Sequence, residues 1–116
     1  MPGSRQAASV WADSSGNLWL FGGAGYDENG AVGVLNDLWR FAPSTGQWTW
    51  VSGSSSDNAS GAYGTQGAVS ISTVPGARQA ASSWIDSSGH LWLFGGAGFG
   101  STGNGYLNDL WQFVPP

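Results

Sequence analysis

The densest group of oxygen ligands in the sequence is the run Asp27-Glu28-Asn29-Gly30. Carboxylate and amide oxygens are the ligands that Ca²⁺ prefers, so this run is a candidate calcium loop. The same residue types also favour a solvated turn. The matching segment later in the chain, Gly100–Gly103, has no acidic residue, which favours the turn. We therefore predict neither a metal site nor a cofactor.

Two pairs of opposite charges recur along the chain, Arg5 with Asp37 and Arg78 with Asp109. Such pairs can activate a reacting group, or they can join strand ends as ion pairs. We expect ion pairs. The sequence has one histidine, His90, and no Cys, and it shows neither a nucleophile with an adjacent base nor two carboxylates at one locus. It therefore predicts a non-enzymatic protein.

Four aromatic residues lie in segments rich in Gly, Ser and Asn: Tyr26, Tyr63, Phe99 and Tyr106. Aromatic rings in such segments can stack on a sugar ring or on a partner's side chain, or they can pack over the edge of a sheet. Together with Asp27, Glu28 and Asn29, these rings form the candidate binding surface.

The residues above belong to a repeated sequence. Residues 2–25 and 75–98 are identical at 20 of 24 positions with a period of 73, and Leu35–Trp39 returns as Leu107–Trp111. Repeats of this kind indicate units that pack against their own copies. Because six of the eight Trp occupy matching positions, we expect them to form the core between units rather than a cage for a ligand.

Each repeat contains short aromatic and β-branched runs that are typical of strands, and no helix pattern. The predicted strands are Arg5–Ala12, Leu18–Gly23, Asn36–Ala42 and Gln47–Ser52, with copies at Arg78–Ile85, Leu91–Gly96 and Asn108–Val114. Turns of hairpin length join the first run to the second and the third run to the fourth, which predicts an antiparallel meander. The consecutive apolar residues Leu18–Phe21 indicate that both faces of the sheet are covered.

A double glycine, Gly22-Gly23, follows an apolar strand, and it precedes the motif Asn36–Phe41, with Trp48 nine residues after Trp39. The second copy offers Gly95-Gly96 and Asn108–Phe113. In this combination the chain resembles the kelch family of β-propellers, and most closely the long-repeat kelch proteins of bacteria. The period of 73 exceeds the usual kelch unit of about 50 residues because residues 53–74 form an insert.

The resemblance implies an all-β fold of kelch-type blades, each a four-stranded antiparallel meander. Residues 1–52 would form one full blade, 53–74 a Gly/Ser-rich connector, and 75–116 a second blade with three strands. Fewer than two blades would thus be present, whereas propellers have typically about four to eight. The residues expected to be structural are Gly22, Gly23, Gly95, Gly96, Trp19, Trp39, Trp92, Trp111, Arg5, Asp37, Arg78 and Asp109.

The strand directions of a meander place the long segments Ala24–Leu35 and Gly53–Val74 at one end of the sheet. We expect this end, which carries the candidate binding surface, to hold any function, because long loops on a rigid scaffold usually do. Residues 66–74 alternate like a strand and are a candidate to cover the edge left open by the missing fourth strand.

Composition excludes several partners. The net charge of −4 does not suit a nucleic acid, and no apolar run approaches the length of a membrane helix. The chain lacks both Cys and Lys and is rich in Gly and Ser, which is compatible with an extracytoplasmic protein, although no secretion signal is visible and the compartment stays open.

The sequence therefore predicts a kelch propeller module that acts as a scaffold or a binding surface for a protein or a glycan. Either the module is part of a longer propeller or identical chains complete a ring, in which case we prefer three chains over four and expect no stable monomer. The alternative is a carbohydrate-binding, lectin-like propeller that uses the loop aromatics.

Overall fold

The computed structural model describes all residues, Met1–Pro116, and is all-β with antiparallel sheets and no helix. No helix is therefore long and apolar enough to cross a membrane. The strands are β1 (Arg5–Gln6), β2 (Ser9–Ala12), β3 (Leu18–Tyr26), β4 (Val32–Ala42), β5 (Gln47–Ser52), β6 (Arg78–Gln79), β7 (Ser82–Ile85), β8 (Leu91–Phe94), β9 (Ala97–Phe99), β10 (Asn104–Tyr106) and β11 (Leu110–Phe113).

The first repeat forms one sheet, called sheet 1 below. Strands β1 and β2 both pair with β3, β3 pairs with β4, and β4 pairs with β5, all antiparallel. Chain order and spatial order therefore agree, as a meander requires. The turns between β2 and β3 and between β4 and β5 are short because Gly16 and Gly46 adopt the positive φ angles that such turns need.

The second repeat follows the same path in two three-stranded pieces, called sheet 2 together. One piece has the order β10-β9-β6 and the other β11-β8-β7. The break falls at Gly95 and Gly96, whose φ angles are positive. Gly22 and Gly23 have the same conformation in sheet 1, where the pairing of β3 with β4 shifts register between Phe21 and Gly23. The double glycine thus interrupts the pairing in both copies, as a bulge in sheet 1 and as a break between the two pieces in sheet 2.

The predicted first strand of each repeat is interrupted. Ala7 and Ala80 have φ angles of 56° and 57°, in the left-handed region that side chains rarely adopt. The amide of Ala80 donates to the carbonyl of Ala7 at 2.9 Å. The strand breaks at this point in both repeats, and the break turns main-chain groups toward the neighbouring repeat.

Two predictions about the connecting segments were wrong. Ala24–Leu35 is not a long loop, because β3 continues to Tyr26 and β4 begins at Val32, with small residues such as Gly25 pairing with Gly33. Residues 66–73 form no strand and cover no edge. The sole β-pairing of this connector is an isolated bridge between Ala62 and Val74, and Val69 is almost fully exposed.

The core lies between the two sheets. The buried cluster contains Trp11, Trp19, Phe21, Leu38, Leu91 and Leu93, with Trp111 and Phe113 packed against it. The strand registers place the first four residues on one face of sheet 1 and the others on one face of sheet 2. These two faces are not equivalent, because residues 91, 93, 111 and 113 match residues 18, 20, 39 and 41 of the first repeat.

Each sheet therefore has two distinct faces. The front face consists of Trp11, Trp19, Phe21 and Leu38 in sheet 1, and of Trp84, Trp92, Phe94 and Leu110 in sheet 2. The back face consists of Leu18, Leu20, Trp39 and Phe41 in sheet 1, and of Leu91, Leu93, Trp111 and Phe113 in sheet 2. The front face of sheet 1 packs on the back face of sheet 2.

Candidate functional site

The recurring charge pairs form two nearly identical ion pairs. Arg5 contacts both carboxylate oxygens of Asp37 at 2.5 and 2.9 Å, and Arg78 contacts those of Asp109 at 2.6 and 2.8 Å. Both arginine side chains are nearly inaccessible to solvent. Two-point contacts of this kind are the strongest and most directional ion pairs that side chains make.

The remaining donors of each arginine bind main-chain carbonyls. In Arg78, Nε donates to Gly76 and Nη1 to Gly95, and Arg5 donates in the same way to Gly3 and Gly22. The carboxylates of Asp37 and Asp109 also accept the indole N–H groups of Trp39 and Trp111. The arginine and aspartate side chains therefore make their hydrogen bonds within the fold, where they join the first, second and third predicted strands of each repeat.

The second ion pair carries one contact that the first lacks. The hydroxyl of Tyr63 donates to Asp109 at 2.6 Å, and its ring lies against Trp111 with centroids 5.2 Å apart. Partial burial raises the pKa of Asp109, but hydrogen bonds from Arg78, Tyr63 and Trp111 outweigh it and hold the pKa well below 3.8. Burial and the neighbouring Asp109 raise the pKa of Tyr63. Tyr63 therefore ties the connector to sheet 2.

Two further carboxylates, Asp13 and Asp86, which the sequence analysis did not single out, organise the hairpins at the other end of the sheets. Asp13 accepts the amides of Ser15 and Asn17 with one oxygen and the indole of Trp19 with the other. Asp86 does the same in the second repeat, where the indole is that of Trp92. The signal was present in the sequence as an Asp six residues before a Trp in both copies.

The acidic run Asp27–Gly30 is a turn in the structure. Asp27 accepts amides from Asn29, Ala31 and Asp57, and Glu28 accepts the hydroxyl of Ser55. The backbone hydrogen bond from Asp57 is the main reason that the pKa of Asp27 is lowered. The structure brings together no group of three or more His, Cys, Asp or Glu side chains. The turn contacts the connector, so both lie at one end of sheet 1.

The four loop aromatics do not form one cluster. Phe99 and Tyr106 line a groove of about 640 Å³ between the tips of the two repeats, together with Asn58, Gln79 and Asn104. Tyr63 and Tyr106 line a smaller hollow of about 370 Å³ beside residues 100–107. Tyr26 lines neither, and about half of it is exposed, as is almost all of Tyr106. Three of the four aromatic residues thus line two neighbouring shallow features, which share Tyr106.

The two outer sheet faces expose large apolar side chains. On the back face of sheet 1, Leu18 is 45% exposed, whereas its counterpart Leu91 is 2% exposed. On the front face of sheet 2, Phe94 is 43% exposed, whereas its counterpart Phe21 is 5% exposed. Equivalent residues therefore differ in exposure only because one copy faces the other sheet and the other copy faces solvent.

Comparison with known proteins supports the architecture alone. No family model and no curated protein matches the chain. Among solved structures, the fold is similar to that of the chain described as "Structure of YjhT", with a TM-score of 0.59 and 22% sequence identity. The match covers 84% of this chain and 22% of that one. The chain thus spans about a fifth of the length of the structure that it resembles.

Proposed function

We propose that the chain is a non-enzymatic kelch-type β-propeller module, in which each sheet is one blade of a larger array. The observation that carries this proposal is the packing of the front face of sheet 1 on the back face of sheet 2. The same pair of faces stays open on the outer sides, so the packing can be continued by further blades. Repeat units that contact only their neighbours are stabilised by such stacking.

The chemistry of the repeated charge pairs supports a scaffold. In both repeats the arginine, the aspartate and the nearby indoles bind one another or the main chain, as described above. Groups held in this way position strands, and none of them is a free base that lies beside a nucleophile. The exposed loop end then serves as the binding surface, with Tyr106 and the tip groove offered to a protein or a glycan.

A tandem protein tests this proposal. Three copies of the chain joined by Gly/Ser linkers should close into a compact particle with a radius of gyration of about 20 Å, the value typical of a folded protein of that length. The tandem should also unfold at a higher temperature than the single chain. Small-angle scattering that shows an extended string, with the melting temperature of the single chain, would refute the propeller proposal. The control is the same tandem with Phe94→Glu in every copy, which should lose its compactness.

The groove between the repeat tips favours one second candidate, a carbohydrate-binding propeller. Phe99 and Tyr106 supply rings that can stack on a sugar, and Asn58, Gln79 and Asn104 supply amides for its hydroxyls. A glycan screen tests this candidate. Specific binding that Tyr106→Ala abolishes, while Tyr26→Ala leaves it intact, would support the groove. Absence of binding by the assembled protein would exclude it.

A further inference from the structure

We propose that the partner of the two open faces is a second copy of this chain, whose sheet 1 back face docks on the sheet 2 front face of the first copy. This inference rests on the proposed function and deepens it, because it names the partner and the residues that meet. It requires no new surface chemistry. The docking surfaces are copies of the two surfaces that already pack together inside one chain.

The first line of evidence is that equivalent front-face residues are buried in sheet 1 and exposed in sheet 2. Trp11 and Leu38 of sheet 1 are 7% and 5% exposed, whereas Trp84 and Leu110 of sheet 2 are 45% and 55% exposed. The residues are the same types at the same strand positions. A patch of this composition that is buried in one copy and open in the other lacks a neighbouring sheet, and contiguous apolar patches of this kind mark interaction sites.

The second line of evidence is a hydrogen bond. The indole nitrogen of Trp11 donates to the main-chain carbonyls of Trp84 and Trp92, at 3.0 and 3.2 Å, across the interface between the sheets. Trp84, the counterpart of Trp11, has no such acceptor within the chain. When the interface is repeated, the indole of Trp84 donates to the carbonyls of Trp11 and Trp19 of the next copy.

The third line of evidence lies where the first strands are interrupted. The amide of Ala80 donates to the carbonyl of Ala7 across the interface. Both alanines adopt the same left-handed conformation. Within one chain, however, only the amide of Ala80 and the carbonyl of Ala7 take part in this contact. In the repeated interface, the amide of Ala7 of the next copy donates to the carbonyl of Ala80. The left-handed conformation of Ala7 already matches that of Ala80, which donates the equivalent hydrogen bond within the chain.

The contact is head-to-tail because the two open faces differ. A contact of this type leaves one front face and one back face free at the ends of every open chain, so it propagates until a ring closes. Two sheets per chain give an even number of sheets in such a ring. A contact of front face with front face would instead stop at a dimer.

Variants that block one face each provide the test. Leu18→Glu places a charge on the back face of sheet 1, and Phe94→Glu places one on the front face of sheet 2. Both residues are substantially exposed in the single chain, so neither substitution disturbs the packing between its two sheets. Each substitution should weaken self-association about 30-fold or more, the effect of losing a central interface residue. Val69→Glu, in the exposed connector, is the control and should associate like the unsubstituted chain.

Mixing the two blocked variants separates a head-to-tail contact from every other kind. The Phe94→Glu chain keeps an intact back face, and the Leu18→Glu chain keeps an intact front face. Sedimentation velocity should therefore show each variant alone as a monomer and the mixture as a dimer that grows no further. Association of either variant alone to the wild-type extent, or a mixture that stays monomeric, would overturn the proposal.

The result for the unsubstituted chain distinguishes this proposal from the proposed function. A wild-type chain that stays monomeric, while the three-copy tandem closes into a compact particle, overturns self-docking and leaves the propeller module standing. In that case neighbouring repeats come from the same polypeptide. A wild-type chain that associates and loses association in both blocked variants supports self-docking directly.

Discussion

Trp11 donates its indole N–H to the main-chain carbonyl of Trp84, the residue that occupies its own position in the second repeat, at 3.0 Å. The bond joins two copies of one sequence feature in unequal roles, since one copy is the donor and the other is the acceptor. A two-fold arrangement of the repeats would pair the two residues reciprocally, whereas the indole of Trp84 has no acceptor within the chain. The asymmetry is the simplest sign that the stack is head-to-tail.

Removing this donor should destabilise the fold. Trp11→Phe keeps most of the buried aromatic surface but leaves the carbonyls of Trp84 and Trp92 without their indole partner. We expect a loss of about 1–3 kcal/mol, the range for an unsatisfied buried polar group. Trp50→Phe, at a half-exposed position on β5, is the control and should change stability little. Equal effects in urea unfolding would contradict the role assigned to the Trp11 bond.

The double glycine should be sensitive because of its surroundings as well as its backbone angle. A Cβ at Gly22 would lie 2.8 Å from the carbonyl oxygens of Arg78 and Leu35, whereas a Cβ at Gly16 would meet nothing. Both glycines have a positive φ, so both alanine variants carry a similar backbone penalty of about 1 kcal/mol. Gly22→Ala should therefore cost clearly more than Gly16→Ala, and Gly22→Val more again. Similar melting temperatures for the two alanine variants would show that close packing at Gly22 is unimportant.

Acid should weaken the fold through Asp109. The pKa of Asp109 is depressed in the folded protein relative to 3.8, so its ion pair with Arg78 contributes fully above that pH. The contribution is lost as the pH falls below 3.8 and through the folded-state pKa. Asp109→Asn should be less stable than the unsubstituted protein at pH 7, since it leaves Arg78 buried without a counter-charge. As the pH falls from about 4 to about 2, however, the variant should lose less stability than the unsubstituted protein. Parallel stability curves for the two proteins, measured by chemical denaturation, would argue against this linkage.

The two hairpin turns that Asp13 and Asp86 organise should both contribute to the stability of the fold. Asp13→Ala removes the acceptor for two amides and for the indole of Trp19, so we expect a loss of about 2 kcal/mol. Ser14→Ala, in the same turn, is the control because no hydrogen bond of the Ser14 side chain is present. Asp86→Ala should also destabilise the fold, because Asp86 accepts the equivalent amides and the indole of Trp92. A loss confined to one repeat would indicate that the two turns are not equivalent.

The strand order and the two Arg–Asp pairs could be predicted from the sequence because each pattern occurs twice, once in each repeat. The strands up to Ser52 lie close to the predicted positions, and Arg5 with Asp37 and Arg78 with Asp109 form the expected ion pairs. The extension of β3 to Tyr26 was missed because Gly23–Gly25 looks like a loop when it is read alone. Small residues are needed there, since a Cβ at Gly25 would meet the main chain of Ser4 and Arg5.

The site was predicted less well because it depends on contacts that are distant in sequence. Nothing in the local sequence around Tyr63 indicates that its hydroxyl binds Asp109, 46 residues later. Likewise, the four loop aromatics were grouped by the end of the sheet on which they lie. Their separation into a groove and a hollow depends on how the two sheets pack, which a pattern of strands does not specify.

A structure of the assembled protein tests the central claim most directly. The distance to measure is the one between Nε1 of Trp84 in one copy and the carbonyl oxygen of Trp11 in the next. We expect a hydrogen bond of about 3 Å, matching the bond within the chain. A structure in which the front face of sheet 2 is open to solvent, or packs on another front face, would contradict the head-to-tail stack.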